Sequence, residues 1–87
     1  MSYFVYILYS HDDDNLYTGC TNNLKKRLTS HQDGHVDATA HRRPLTLIHS
    51  EEFESKADTF ERERFLKSLW GAREKTKIKK QYLDKKG

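Results

Sequence analysis

The 87-residue sequence contains a single cysteine, Cys20. One cysteine excludes an intrachain disulfide, and no Cys/His spacing in the chain suits a zinc site. Long hydrophobic runs are absent as well. The most apolar stretch, "YFVYILY" from Tyr3 to Tyr9, is seven residues long. That is too short for a signal-peptide core or a membrane span, and no basic leader precedes it. The expectation is a cytoplasmic protein with no membrane partner. There is no internal repeat and no low-complexity linker, so residues 1–87 read as one domain. A domain of this size buries only about 60–65% of the surface its unfolded chain exposes, and its stability is on the order of 5–8 kcal/mol. An uncompensated buried charge takes a large share of that. Charged side chains on inward faces therefore need a reason.

Charge itself is plentiful, with a net value of only +3. Its distribution says more than its sum. Acidic residues gather at Asp12–Asp14 and between Glu51 and Glu63. Basic residues gather at Lys25–Arg27, at His41–Arg43 and from Arg73 to Lys86, the last stretch holding seven Lys/Arg against two acids. Separated basic clusters suit a polyanion such as nucleic acid. The plain alternative is a solvated surface with a basic tail.

Tyr3 to Tyr9 is rich in aromatic and β-branched residues and reads as a strand. Alternation puts Phe4, Tyr6 and Leu8 on one face and Tyr3, Val5, Ile7 and Tyr9 on the other. "SHDDDN" is a turn, and Asn15 to Cys20 returns as a hairpin strand. Pairing Tyr9 with Asp14 sets Tyr6 opposite Tyr17 on one face. A helix capped by Thr21 or Asn22 runs to about Asp33, where Gly34 stops it. Residues 35–43 show no period and read as a loop. Pro44 opens a third strand, Leu45 to His49. Ser55 and Asp58 start a second helix that continues to Trp70, and a basic helix follows from Arg73 to Leu83. The order ββαβαα describes a small α/β (α+β) domain. Its three-stranded sheet is expected to be mixed, with helices over one face or end and the rest of the face open.

Four features of this layout invite chemistry. Tyr6 and Tyr17 bring two phenols to one sheet face, where cross-strand packing is the simple explanation. A phenol acts as a base only if nearby positive charge favours its ionised form. Arg27 and His31 fall one turn apart, on the helix face that Leu24 and Leu28 turn inward. A structural salt bridge and a core histidine would account for them; beside two phenols, the guanidinium also makes a phosphate site. Glu63 projects onto the apolar arc of the second helix, between Phe60 and Trp70 and beside Leu66. It is either half of an i, i+4 ion pair with Lys67 or a carboxylate for Mg²⁺, an ion that often takes only one or two protein ligands. Gly19 either ends a strand or lets a substrate backbone approach closely. Together these groups suit phosphodiester hydrolysis.

At these spacings the sequence resembles the GIY-YIG endonuclease family, and more narrowly its small single-domain members. "FVYILY" stands where the family has its GIY segment, with Tyr6 at the tyrosine. "LYTGCTNNLKKRLTSH" is similar to the second segment and the helix after it. Tyr17 and Gly19 match the YIG element, Arg27 the catalytic arginine and His31 a frequent histidine. Glu63 falls on the metal-binding glutamate. Phe4 and Thr18 depart from the two motifs at positions without chemistry, and Lys77 aligns loosely with an asparagine. The resemblance implies a GIY-YIG-like fold and a metal-dependent endonuclease of DNA, of the kind used in repair or recombination. The cofactor it implies is one Mg²⁺ or Mn²⁺ held by Glu63. Tyr6 would activate the attacking water, Arg27 would stabilise charge on the phosphorane, and Tyr17 and His31 would orient phosphate or assist proton transfer. The DNA, branched or single-stranded, would be gripped through Gly19, Lys25, Lys26, Arg42, Arg43, Lys67, Lys77, Lys79 and Lys80, with the basic last helix or a homodimer on the substrate adding affinity. The rival reading is a nucleic-acid-binding module of the same fold with little or no catalysis.

Overall fold

The computed structural model describes residues 1–86. Strand β1 (Tyr3–Ser10) is central, with β2 (Leu16–Thr21) on one side and β3 (Leu45–Phe53) on the other. Both pairings are antiparallel, so the sheet is not mixed as the sequence suggested. A strand–helix–strand crossover predicts that β2 and β3 share a direction, and they do. They are not neighbours, because β1 lies between them and pairs with both.

The hairpin register pairs Tyr9 with Leu16, Leu8 with Tyr17 and Tyr6 with Gly19. This differs by two residues from the expected pairing of Tyr9 with Asp14. Asp14 lies in the turn with φ 60, and the Ser10 N–H closes the loop on the Asn15 carbonyl at 2.9 Å. A two-residue shift preserves the facing of side chains. Tyr6 and Tyr17 therefore still share a face, as diagonal rather than direct neighbours.

Helix α1 (Leu24–Gln32) is capped by Asn23, whose side chain accepts from the Lys26 N–H at 3.1 Å. The expected cap Thr21 instead accepts from the Asn23 N–H at 3.1 Å and sets the turn before it. Segment 35–43, expected as loop, contains the four-residue helix α2 (Asp37–Ala40). One helical turn is too short to display a period. Helix α3 (Lys56–Lys67) starts as expected, with Ser55 Oγ accepting from the Asp58 N–H at 3.3 Å. It ends short of Trp70, and helix α4 (Ala72–Lys86) follows.

Both faces of β1 are covered. Tyr6, Leu8 and Leu45 pack with Leu24 and Leu28 of α1, while Val5 and Ile7 pack with Leu66 of α3 and Ile78 of α4. Part of the α1-side face stays open, as expected, where β3 presents the exposed Ser50 and Glu52 opposite Tyr6 and Phe4. The apolar arc of α3 also differs from expectation. Thr59 and Leu66 are its buried residues, whereas Phe60 and Trp70 are 44% and 84% exposed. Thr59, Glu63 and Leu66 fall within about 60° on a helical projection, so Glu63 still belongs to the inward arc.

Candidate active site

On the α1 side of the sheet, alternation delivers Tyr6 from β1 and Tyr17 from β2, and the i, i+4 spacing of α1 delivers Arg27 and His31. Their side chains meet. The Tyr6 hydroxyl lies 2.8 Å from His31 Nε2, and Arg27 Nε donates to the same hydroxyl at 3.4 Å. The Tyr17 and His31 rings pack edge-on with centroids 5.2 Å apart, and the two tyrosine rings are 6.4 Å apart. Tyr6 and His31 are 0% and 1% exposed, while Tyr17 and Arg27 are half-buried.

The second ring nitrogen of His31 is 2.7 Å from Thr39 Oγ1, and Thr39 is itself buried. Thr39 was not legible as a site residue, since nothing in "DATA" signals that this turn folds back over α1. Its hydroxyl has the Val36 carbonyl at 3.5 Å to donate to. It can then accept from His31 Nδ1–H, which leaves Nε2 free to accept the Tyr6 proton. Burial, and then the Arg27 charge, hold the His31 pKa below its ordinary value. Burial also pushes the Tyr6 phenol upward, against the lesser opposing pull of the Arg27 hydrogen bond. The Arg27 guanidinium is reinforced in its charged form, first by Tyr6.

Glu63 lies on the other side of the sheet and makes no hydrogen bond to these four residues among the described ones. It meets β2 through Cys20, whose Sγ–H donates to Glu63 Oε1 at 3.5 Å, while Lys67 Nζ pairs with Oε2 at 3.1 Å. Burial, followed by the Glu63 carboxylate, pushes the Cys20 thiol up to about 11. The sequence reading used Cys20 only to exclude disulfides and zinc. Strand alternation could have placed it, since Cys20 faces opposite to Tyr17 and Gly19.

A cleft of about 320 Å³ opens at the end of β2; Arg27 and Cys20 border it, whereas Tyr6, Tyr17, His31 and Glu63 do not line it. Arg27 lines it from the α1 side, Cys20 from β2, and Thr59 and Phe60 from α3. Gly19 has no side chain for a steric reason. A Cβ there would stand 2.5 Å from the Tyr6 hydroxyl oxygen and 2.7 Å from Cζ, closer than atoms tolerate.

The basic candidates separate by engagement. Arg42 clamps the hairpin turn through Asp13 at 2.6 Å and drives that carboxyl down to about 2. Arg43 donates to the carbonyls of Ala40 and Gln32 at 3.0 and 3.3 Å. Lys67 is paired with Glu63, and Lys79 with Asp14 at 3.7 Å. Lys25, Lys26, Lys77 and Lys80 are exposed and make no ion pair among the described residues.

A small α+β domain with phenols, an arginine and a carboxylate around its edge strand is the architecture of a nuclease class. Residues 2–82 match the GIY-YIG catalytic domain, and the chain belongs to that family of nucleases. It is 41% identical to a UPF0213 protein of Bacillus velezensis, the match covering 98% of this chain and 81% of that protein. It is also 41% identical to a UPF0213 protein of Natronomonas pharaonis, over 77% of this chain and 79% of the other. The fold is similar to the solution NMR structure of a UPF0213 protein from Bacillus halodurans. The TM-score is 0.57 at 29% identity, covering 90% of this chain and 83% of that one. Nucleases of this family generally use a divalent metal and act on DNA.

The residues present fit such an ion in one specific way. No group of three or more His, Cys, Asp or Glu side chains converges among the described residues, so an all-protein cage is not built here. A hard cation that keeps most of its waters and shares substrate phosphates needs only one carboxylate; Glu63 is the carboxylate next to Cys20 of the cleft wall, with Lys67 on its other oxygen. No helix among the described residues is long and apolar enough to cross a membrane.

Proposed function

We propose that this domain is a metal-dependent endonuclease that hydrolyses DNA phosphodiesters at the β2-edge cleft. The observation that carries the reading is Arg27. A half-buried guanidinium on a cleft wall, held by a phenol oxygen and without a carboxylate partner among the described residues, is a site waiting for an anion. A phosphodiester supplies that anion, and the charge that builds on it during hydrolysis strengthens the contact. Glu63 would hold one Mg²⁺ or Mn²⁺, which when bound supplies charge neutralisation and a water of lowered pKa. Tyr17 stands half-buried next to Arg27 and orients the phosphate. Gly19 serves the site by leaving room for the Tyr6 hydroxyl rather than for the substrate backbone.

Tyr6 and His31 handle the proton. A proton leaving the Tyr6 oxygen has His31 Nε2 as acceptor at 2.8 Å. For Tyr6 to serve an attacking water, Arg27 must leave its hydroxyl for the phosphate, which uncovers the phenol from the cleft side. Of the expected DNA contacts, Lys25, Lys26, Lys77 and Lys80 make no ion pair among the described residues and are available to phosphates.

The complete burial of Tyr6 favours a second reading, a DNA-binding module in which the Tyr6–His31 pair is structural. One experiment separates the two: cleavage of single-stranded, branched and duplex DNA with Mg²⁺ or Mn²⁺, by wild type, Arg27→Ala and Tyr6→Phe. The nuclease reading expects cleavage that Arg27→Ala abolishes and Tyr6→Phe lowers at least about 100-fold. The same panel reports on a role in repair or recombination through its substrate preference. Salt-dependent binding with no cleavage of any substrate would establish the module instead.

A further inference from the structure

The turn between α3 and α4 exposes two large apolar side chains next to each other. Leu69 is 91% exposed and Trp70 is 84% exposed. The spacing put Trp70 on the apolar arc of the second helix, and the cleft does not use it. The turn that carries it is firmly built. The Ser68 N–H donates to the Phe65 carbonyl at 3.0 Å, and the Gly71 N–H to the Ser68 carbonyl at 3.1 Å. Gly71 is packed so tightly that a Cβ there would stand 2.6 Å from Leu66 Cα. Trp70 is therefore displayed on a fixed turn rather than on a loose end.

Next to it the basic residues of α4 divide into two faces. Lys79 is held against the hairpin by Asp14, and Glu74 is held by Arg62. Arg73, Lys77 and Lys80 point outward, are exposed and make no ion pair among the described residues. They stand at i, i+4 and i+7, one stripe of the helix. Their axial separations are about 6 and 4.5 Å, against a rise of roughly 3.4 Å per nucleotide along one strand. Arg73 borders both hollows here, one with Leu69 and Trp70 and one with Thr76, Lys77 and Lys80, and no acidic residue lines either. An indole beside a row of unpaired cations combines the two elements that hold single strands: a stacking platform and a phosphate track.

We infer that Trp70 with the Arg73–Lys77–Lys80 stripe is a DNA-contacting surface, separate from the cleft, that takes an unpaired strand by stacking a base on the indole. The inference rests on DNA being the substrate. Two apolar side chains are too few for a membrane-inserting face, and the row of like charge opposes pairing with a second copy of the chain.

Trp70 is the sole tryptophan, so its fluorescence reports on the surface directly. The experiment titrates the whole chain, without metal, with a short oligothymidylate, an abasic strand of equal length, a duplex and vesicles of phosphatidylglycerol. The expected result is quenching by oligothymidylate and not by the abasic strand. Trp70→Ala should weaken single-strand affinity, read by anisotropy of labelled DNA, roughly 5- to 100-fold with little effect on duplex. Lys77→Gln with Lys80→Gln should reduce the salt slope of single-strand binding by about 1.4. Equal quenching by the abasic strand, unchanged affinity of Trp70→Ala, a response to vesicles but not DNA, or burial of Trp70 in a dimer would each overturn the inference. Quenching by oligothymidylate in a wild-type chain that cleaves no substrate overturns only the catalytic reading, whereas cleavage without such quenching overturns only this inference.

Discussion

His31 Nε2 lies 2.8 Å from the Tyr6 hydroxyl, and neither side chain reaches solvent. The groups around the imidazole are Tyr6 from β1, Tyr17 from β2, Arg27 on its own helix and Thr39 from α2. None is an anion, and one is a cation, so the ring is kept neutral. Its folded pKa is depressed, and the sign of the consequence follows. Below about pH 6.5 the unfolded chain takes up a proton at this histidine that the folded chain refuses. Stability therefore falls as pH drops through that value, and stops falling once the folded form is protonated too. The melting temperature of wild type should decline more between about pH 7.5 and 5.5 than that of His31→Asn. Equal slopes would remove His31 as the buried neutral base.

Gly19→Ala tests whether the Tyr6 hydroxyl is locked in place. The added methyl meets the hydroxyl at 2.5 Å, and the ring is held by the core around it. Overpacking of this kind costs about 1–3 kcal/mol. We expect a lower denaturation midpoint together with lost cleavage, because Tyr6 must move off His31 and Arg27. A variant as stable and as active as wild type would show that the phenol has room to spare.

Glu63→Gln distinguishes a metal ligand from one end of a surface ion pair. The pair with Lys67 is half open to solvent and contributes only about 0.3–0.5 kcal/mol. The glutamine can still accept from Cys20. Folding should be nearly unaffected, cleavage should fall to background, and added Mg²⁺ should raise the melting temperature of wild type but not of the variant. Full activity in Glu63→Gln would end the metal-ligand assignment.

Cys20 should be a slow thiol despite its place on the cleft wall. Burial first, and then the Glu63 carboxylate, pushes its pKa up to about 11, leaving roughly one-hundredth of the usual thiolate at neutral pH. Alkylation by iodoacetamide should be slow in wild type and faster in Glu63→Gln, where the carboxylate that raises the pKa is gone. A rate like that of free cysteine in wild type would contradict the burial of Cys20, and equal rates in the two proteins would contradict the Cys20–Glu63 contact.

Thr18 offers a stabilising substitution. Its Oγ1 is buried without a hydrogen-bond partner among the described residues. Thr18→Val removes that hydroxyl at constant shape, and a gain of about 1 kcal/mol is expected with cleavage unchanged. A loss of stability in chemical denaturation would mean that the hydroxyl has a partner after all.

Strand β1, the start of α3 and the shared face of Tyr6, Tyr17, Arg27 and His31 were legible because local patterns fix them. Period two in a strand and about 100° per residue in a helix say which side chains travel together. The facing of Tyr17 survived a register error of two residues for the same reason. Trp70 failed because a helix end is decided by the Ser68 turn and by Gly71 packing on Leu66, contacts that periodicity does not contain.

The sequence by itself determined which residues could act together on one face, and the family to which they point. Tertiary structure alone decided that β1 lies between its neighbours, that Thr39 closes over His31, and that Cys20 carries Glu63 to the edge of β2. It also decided how the cations are engaged: Arg42, Arg43, Lys67 and Lys79 are taken up by partners, whereas Arg73, Lys77 and Lys80 make no ion pair among the described residues. Each of these depends on groups far apart in the chain, whose approach is set by how sheet and helices pack rather than by any local preference.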